Sequence, residues 1–221
     1  MTQVIEGLVP IASRTTSSLV IDQLRERIVD GTFRPGSQMG EAQLAATFGI
    51  SRGPVREALQ RLIQEGLLLN VKNRGVFVVE LGPGDMVDVF LTRRLIEHKA
   101  ASLLWKSKDE RYLTRLDALV DELAEVASSQ DLSDVVAQDL AFHEVLVESA
   151  ESPRLSRMFA TLVAETRICL SGMAEAAPME ASLAQEHRKL MGLLRAGSER
   201  RLLAAVDSHL NAALSYFTDR V

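Results

Sequence analysis

Cysteine is nearly absent from this sequence of 221 residues: Cys169 stands alone, so no disulfide can form within the chain. No apolar run approaches the roughly 18 residues that a membrane-spanning helix needs. The residues up to Ser18 lack the basic start and apolar core of a secretory signal. Tandem repeats and low-complexity segments are also missing. These absences predict a cytoplasmic protein without a membrane partner.

The composition is that of an ordinary globular protein, with 47% hydrophobic and 25% charged residues, which excludes a disordered chain. The net charge of −5 argues by itself against a nucleic-acid binder. Residues 1–79, however, hold nine basic and seven acidic residues, a net charge of +2, while the remainder carries −7. A mildly basic first third on an acidic body is compatible with DNA binding.

The first third mixes helix and strand signals. Apolar residues at helical spacing predict a helix that ends at Gly31, a short second helix over about 41–48, and a third helix that Ser51 caps and Gly66 stops. Apolar runs at 67–69 and 76–79 surround a polar turn and predict two strands. This order of three helices and a small β-hairpin predicts a winged helix-turn-helix.

The segment Leu81-Gly82-Pro83-Gly84 is the clearest linker, since Pro and Gly cannot continue a strand and Asp85 can cap the next helix. We therefore predict two domains, 1–82 and 83–221. The second shows helical periodicity only, so the fold class is mainly α, with an all-α six-helix bundle after the winged helix-turn-helix. The predicted helices span about 85–106, 109–129, 131–150, 153–173, 179–196 and 198–218.

The third helix carries the residue types that read DNA. A short helix fits a major groove roughly 12 Å wide, and its N-terminal end meets base edges and phosphates. Arg52 and Arg56 are four residues apart and share a face. In the hairpin, Arg74 precedes Gly75, which allows close backbone approach to DNA. An arginine pair alone is more often a solvated face; the complete pattern favours DNA binding. The candidate DNA-binding residues are Ser51, Arg52, Gly53, Arg56, Arg74 and Gly75.

Four residues of the predicted bundle have the spacing of metal ligands. Asp139 and His143 lie four residues apart on one helix, and His187 and His209 lie on the last two helices, each flanked by apolar residues. A buried acid and three buried histidines are costly unless they satisfy one another, and a shared divalent ion would achieve this. The spacing alone leaves a second interpretation equally open, in which these are separate packed or surface histidines.

The run Ser51-Arg-Gly-Pro-Val-Arg-Glu-Ala-Leu59, followed by Glu65-Gly66-Leu67, resembles the DNA-binding domain of GntR-type bacterial regulators over roughly residues 15–80. The resemblance implies that Arg52, Arg56 and Gly75 contact DNA. Two positions depart from the pattern: Ala42 stands where an arginine often touches DNA, and Gly53 replaces the usual threonine. We therefore expect the operator preference to differ from that of other members.

Arg93-Arg-Leu-Ile-Glu97, Asp139-Leu-Ala-Phe-His143, Glu186-His187 and His209-Leu210 resemble the FCD domain of the FadR-like GntR branch, over roughly residues 85–218. The resemblance implies that the Asp and three His bind a divalent ion and that a small carboxylate effector completes its coordination. Their presence argues against the subgroup that binds long-chain acyl-CoA. Zinc is the first expectation, with nickel and manganese as alternatives. Ser152, where the family often has Asn, is expected to matter little.

An anionic effector needs a counter-charge besides the ion. Arg93 matches an arginine of the first FCD helix and faces inward if Ile96 and Ala100 do. Arg167 lies in a largely apolar stretch, and Asn211 lies close to His209. We rank the three candidates in that order. A surface salt bridge is the alternative for each, and it is at least as favoured for Arg167 and Asn211.

The predicted function is that of a transcriptional regulator that binds double-stranded operator DNA as a homodimer. Repression is the first expectation, and activation is the alternative. A carboxylate effector would weaken DNA binding by a shift in population. One alternative is a regulator for which the metal ion itself is the effector. The other is a metallohydrolase or lyase. We predict that the chain is not an enzyme, because no additional acid or base stands out near the four candidate ligands and an enzyme does not need a DNA-binding winged helix-turn-helix.

Overall fold

The computed structural model of the chain describes residues 15–127, 132–171 and 180–218. Within these ranges, three helices and a hairpin are followed by six further helices, which confirms the predicted fold class. The elements are α1 Thr16–Val29, α2 Glu41–Phe48, α3 Arg52–Gln64, β1 Leu68–Val71, β2 Gly75–Val78, α4 Pro83–Ser107, α5 Glu110–Val126, α6 Leu132–Glu148, α7 Pro153–Ser171, α8 Glu180–Ala196 and α9 Glu199–Thr218.

The first three helices and the hairpin form the reading head, which we define as residues 15–79. Thr15 caps α1, since its hydroxyl accepts a hydrogen bond from the Ser18 amide. The turn between α2 and α3 is made at Gly49, whose φ of 65° lies in the left-handed region. Buried apolar residues of α1 and α3 then pack together as the core of the head: Val20, Leu24, Ile28, Val55, Leu59 and Leu62.

The hairpin is shifted slightly from its predicted position. β1 and β2 pair antiparallel, with Leu68 opposite Val78 and Val71 opposite Gly75. Asn73, with a φ of 63°, turns the chain between the strands. The prediction placed the strands at 67–69 and 76–79, because apolar residues mark the buried part of a strand rather than its hydrogen-bonded extent.

The helix α4 begins two residues earlier than predicted. Gly82 is its N-cap and Pro83 its first residue, a position where the missing proline N–H has no helical acceptor in any case. Asp85 lies in the first turn, where its carboxylate accepts a hydrogen bond from the Gly82 amide at 2.8 Å. The other predicted helices agree to within a few residues. Some of the predicted helix ends fall at 128–131, 172–173 or 179, and these positions lie outside the described residues.

Four of the remaining helices, α6, α7, α8 and α9, pack against α4, and α5 packs against α6 and α8. Their inward faces form a second apolar core, separate from that of the head, with fully buried residues that include Phe90, Leu104, Leu116, Phe142 and Leu210. We call these six helices the bundle. None of the helices in the described ranges is long and apolar enough to cross a membrane.

The reading head and the bundle touch along α7. Ile168 of α7 belongs to the core of the head, and α1 packs against the same helix. Gly66 follows α3 with a φ of 78°, and a Cβ added there would lie 2.7 Å from Cγ2 of Thr161. The absence of a side chain at Gly66 therefore permits both the turn after α3 and the close approach of α7.

This contact predicts different costs for two glycine substitutions. Gly49→Ala meets open space, so it should cost only the strain of a left-handed backbone, roughly 1–2 kcal/mol of unfolding free energy. Gly66→Ala carries the same strain and also overlaps Thr161, which adds about 1–3 kcal/mol. Urea unfolding of both variants measures the difference.

The companion variant for this comparison is Gly66→Ala combined with Thr161→Ser, which removes Cγ2. This double variant should recover the unfolding free energy lost to the overlap with Thr161, and it should still carry the strain of the left-handed backbone. Equal losses in Gly49→Ala and Gly66→Ala would contradict the close packing of the head on α7.

Candidate functional site

The four residues predicted as metal ligands converge inside the bundle. Asp139 and His143 come from α6, His187 from α8 and His209 from α9, and one ligand atom of each lies within 4.8 Å of all the others. The Asp139 Oδ1 is 3.4 Å from Nε2 of His187, 3.8 Å from that of His143 and 3.9 Å from that of His209. We call this group the Asp/His cluster.

Each imidazole of the cluster is oriented by a partner at its other nitrogen. Nδ1 of His143 lies 2.6 Å from a Glu97 carboxylate oxygen, and Nδ1 of His209 lies 2.8 Å from one of Glu186. Nδ1 of His187 lies 2.9 Å from the Leu183 carbonyl oxygen. A carbonyl or an ionised carboxylate can only accept, so each Nδ1 donates. Every Nε2 is therefore turned toward the centre of the cluster.

Two of the four inward atoms lack a partner that would explain their burial. Nε2 of His143 and Nε2 of His209 are 3.0 Å apart, within hydrogen-bond distance, but each ring donates through Nδ1, so a bond between them requires one ring to carry a second proton. Oδ1 of Asp139 and Nε2 of His187 are shielded from solvent and have no hydrogen-bond partner among the described residues. Three imidazole lone pairs and one carboxylate oxygen form a donor set that fits a divalent cation.

Burial and neighbouring charges shift the pKa values around the cluster. Burial lowers the pKa of His187 to about 4, so its ring is neutral at pH 7. Burial would raise the pKa of Glu97, but the charges of His143 and Arg93 outweigh it and hold that pKa at about 2. For His209, burial lowers the pKa, while the hydrogen bond to Glu186 and the Asp139 carboxylate raise it above its ordinary value.

Arg93 lies beside the cluster rather than in it. It is buried together with Ile96 and Ala100, as predicted. Its Nε donates to Glu97 at 2.9 Å, and the ring of Phe90 lies 4.9 Å from its guanidinium carbon. Glu97 and Glu186 had no predicted role of their own. The spacing of Arg93 and Glu97, four residues apart on α4, is the signal that could have identified the first pair.

The two other candidate effector residues have partners elsewhere. Arg167 faces Glu144, with Nη2 at 3.9 Å from Oε2, and lines a cleft between the head and the bundle. Asn211 is exposed on α9, and its side-chain oxygen accepts a hydrogen bond from Arg94. Of the three candidates, Arg93 is thus the one that contacts Glu97, whose carboxylate orients the His143 ring of the cluster.

The candidate DNA-binding residues form two exposed patches on the head. Ser51, Arg52, Gly53 and Arg56 lie at the start of α3, with Ser51, Arg52 and Arg56 exposed to solvent. Arg56 pairs with Glu41 of α2, its Nη2 donating to a carboxylate oxygen at 2.8 Å. A Cβ added at Gly53 would meet open space, so glycine in place of the usual threonine leaves this surface without a side chain.

The second patch is the hairpin. Arg74 is exposed and stacks over the ring of Phe77, 5.4 Å from its centroid. The Arg74 carbonyl accepts a hydrogen bond from Nε2 of Gln38 at 2.8 Å, which holds the tip of the hairpin. Gly75 has a φ of 107°, and a Cβ there would lie 3.1 Å from the same Gln38 nitrogen. A glycine is therefore required here by the fold itself, independently of DNA.

Comparison with known proteins identifies both parts of the chain. Residues 16–78 match the family described as bacterial regulatory proteins, gntR family, and residues 88–212 match the FCD domain. A solved transcriptional regulator GntR from Rhodococcus sp. RHA1 has the same fold, with a TM-score of 0.79 and 27% identity, and the alignment covers 93% of this chain and 98% of that one.

Curated relatives have the same character. The HTH-type transcriptional regulator YdhC of Bacillus subtilis is 31% identical over 138 residues, a match that spans 62% of each chain. A Paenarthrobacter nicotinovorans protein, named "Probable D-xylose utilization operon transcriptional repressor", is 28% identical over 92% of this chain and 91% of its own. These proteins are named as regulators, in agreement with the prediction that the chain is not an enzyme. The chain belongs to the gntR family of bacterial regulatory proteins, in the group that carries an FCD domain.

Proposed function

We propose that this regulator binds operator DNA through its reading head and that a small carboxylate, bound at a divalent ion in the bundle, controls its affinity for DNA. We take residues 1–82 as the DNA-binding domain and 83–221 as the effector domain, since the N-cap of α4 at Gly82 divides the two helical cores. The Paenarthrobacter relative is named as a repressor, and we propose the same direction here.

The observation that carries the proposal is the direction of the imidazoles. Each histidine of the cluster donates its Nδ1 proton to an acceptor and presents Nε2 to the others. Asp139, His143, His187 and His209 would hold the ion, and Glu97 and Glu186 would fix the rings of two ligands. Three imidazoles and one carboxylate suit zinc or nickel, and manganese to a lesser degree.

When bound, the ion would supply a positive charge inside the bundle that attracts the oxygens of a carboxylate. The chain contributes the rest. Arg93 lies behind Glu97 and keeps that carboxylate ionised, so that Glu97 continues to accept the proton of His143 Nδ1. Since Arg93 is almost fully buried and paired with Glu97, solvent screens its charge much less than that of a surface arginine. We therefore retain Arg93 as the first candidate for an effector contact.

The alternative function is a sensor for the metal ion itself. The same cluster supports it, because the ion would join α6, α8 and α9 whether or not a carboxylate follows. Operator binding measured with the metal alone, and then with metal and a series of small carboxylates, separates the two. A response to the metal alone, unchanged by any carboxylate, favours the sensor.

The cluster can be tested by removing one ligand at a time. His143→Ala and His209→Ala should each lower the metal content of the purified protein and abolish its response to carboxylates, because each removes one ligand of four. Elemental analysis measures the metal content. Operator binding without effector should survive, because the head has its own core.

The matched control for the cluster is His98→Ala. His98 lies on α4 and pairs with Asp207, outside the cluster, so this variant should retain the metal content of the parent. Near-zero metal in all proteins, purified without a chelator, would reduce the cluster to buried histidines and overturn the metal part of the proposal.

Binding to DNA can be tested at the two arginines of α3. Arg52→Ala and Arg56→Ala should each weaken operator binding by about 1–3 kcal/mol if the arginine reads a base. Glu41→Gln should act in the opposite direction, because it releases Arg56 from its ion pair and removes a negative charge near the phosphates. Affinities at one fixed salt concentration measure all three.

Arg154→Ala is the control for DNA binding, since Arg154 is exposed on α7 of the bundle and should leave the affinity unchanged. If Arg52→Ala and Arg56→Ala both bind the operator as tightly as the parent, the placement of α3 in the groove is wrong.

The surface of α4 carries a stripe of exposed apolar residues. Val87, Leu91 and Leu95 recur every four residues on α4 and are 47%, 52% and 68% exposed. We propose that this stripe packs against a second copy of the chain, because a dimer presents two heads to a two-fold symmetric operator. Leu91→Glu should give a monomer in sedimentation and weaken operator binding.

Leu19→Glu serves as the control for assembly, because Leu19 is a similarly exposed leucine on α1, away from the stripe. It should sediment as the parent does. A parent chain that is monomeric at micromolar concentration, or a dimer that Leu91→Glu leaves intact, would contradict the proposed interface.

A further inference from the structure

A cleft of about 600 Å³ lies between the reading head and the bundle. Its head wall includes Arg25 of α1 and Arg61 of α3, and its bundle wall includes Glu144 of α6 with Arg157 and Arg167 of α7. The volume is within the range of small-molecule sites, roughly 300–1,000 Å³, which occur preferentially where domains meet. None of the four cluster residues lines this cleft, so it is a separate site.

The head wall of the cleft is nearly neutralised. Glu65 accepts hydrogen bonds from Arg25 through Nη2 at 2.9 Å and from Arg61 through Nε at 2.9 Å. Asp22 also accepts a hydrogen bond from Nη1 of Arg25 at 2.9 Å, so two carboxylates face the two guanidinium groups of this wall. The charges on this wall are therefore balanced, and the two arginines are held in fixed positions by their carboxylate partners.

On the bundle wall, two arginines have hydrogen-bond donors without an acceptor among the described residues. Arg157 is exposed and has no ion pair or hydrogen bond with any residue in the described ranges. Arg167 comes no closer than 3.9 Å to Glu144, which is too long for a hydrogen bond. Its Nε is shielded from solvent and lacks an acceptor in the same ranges. Two guanidinium groups on one helix therefore keep most of their donors unpaired.

The space between these arginines is opened by small side chains. Arg157, Ala160, Ala164 and Arg167 recur at intervals of three and four residues, so they share the face of α7 that looks into the cleft. Because the two alanine side chains are short, the middle of this face is recessed, and an arginine lies at each end. Four arginines and two glutamates line the described walls, and Asp22 pairs with Arg25, so the cleft keeps a surplus of one positive charge, which lies on the bundle wall.

We propose that this cleft binds a small organic molecule with at least two negative charges, carried by phosphate or carboxylate groups. The guanidinium fork matches both groups, and two well-separated arginines favour a ligand with charge at both ends. Because the ligand would touch α1 and α3 on one side and α7 on the other, it would stabilise the head against the bundle. By linkage, operator DNA and this ligand would then change each other's affinity by the same factor.

Calorimetric titration of the full chain with pyrophosphate and with succinate, at one ionic strength, tests the proposal. Each of Arg157→Ala and Arg167→Ala should weaken binding of the better probe about tenfold or more, the loss of a charge-assisted hydrogen bond. The double variant should show no binding. Arg154→Ala, which removes an exposed arginine of α7 outside the cleft, should bind as the parent does. The tighter probe distinguishes phosphate from carboxylate ligands.

His209→Ala separates this site from the Asp/His cluster. Binding to the cleft should persist in that variant, even if the metal and carboxylate response is lost. Arg157 is exposed, so its substitution should leave the thermal stability of the unliganded protein unchanged. The proposal is overturned if neither probe binds, if Arg154→Ala weakens binding as much as Arg157→Ala does, or if His209→Ala abolishes binding while the double arginine variant retains it.

Discussion

One constraint governs the interior of the bundle: three imidazoles and one carboxylate direct their electron pairs toward the same point. The Nδ1 hydrogen bonds impose this arrangement, because Glu97, Glu186 and the Leu183 carbonyl can only accept. Two of these bonds join helices, since Glu97 links α4 to α6 and Glu186 links α8 to α9, while the Leu183 bond lies within α8. Left without a cation, the arrangement buries unpaired acceptors at a cost of several kcal/mol. The divalent ion of our proposal turns that cost into a link between helices.

The same helices connect the cluster to the reading head. His143 and Glu144 are consecutive on α6, and while His143 faces the cluster, Glu144 lines the cleft. On the same wall of the cleft, next to α6, lies α7, which packs on the head through Ile168 and through the contact of Thr161 with Gly66. A displacement of α6 at the cluster would therefore act on the surface where the head rests. In the proposed function, this surface is where ligand binding alters the position of the two heads.

Much of the fold could be predicted from periodicity and from turn residues. Gly49, Gly66 and the Gly82-Pro83 pair ended or began helices where predicted to within two residues, because glycine permits the left-handed turn that ends a helix and proline is suited to its first turn. The spacing of Asp139 and His143 indicated one helix face, because residues four apart lie on the same side of a helix. Convergence with His187 and His209 depends on how distant helices pack, so spacing alone left it open and the resemblance to the FCD domain supplied it.

The remaining features depended on tertiary contacts that no local pattern reveals. Arg167 and Asn211 lie on helices of the bundle, but their rotation about the helix axis directs them to Glu144 and Arg94. The pairing of Arg56 with Glu41 joins residues 15 apart, and it could not be read from the arginine spacing on α3. The cleft forms only because two separately predicted parts pack side by side.

The tautomers of the histidine rings test the central claim most directly. Nitrogen-detected NMR of labelled protein, recorded before and after zinc is added to chelator-treated samples, reports the protonation of Nδ1 and Nε2 in all four histidines. The account predicts that His143, His187 and His209 keep the proton on Nδ1 and shift at Nε2 when zinc binds, while His98 is unchanged. Three rings protonated on Nε2, or four rings that ignore zinc, would contradict it.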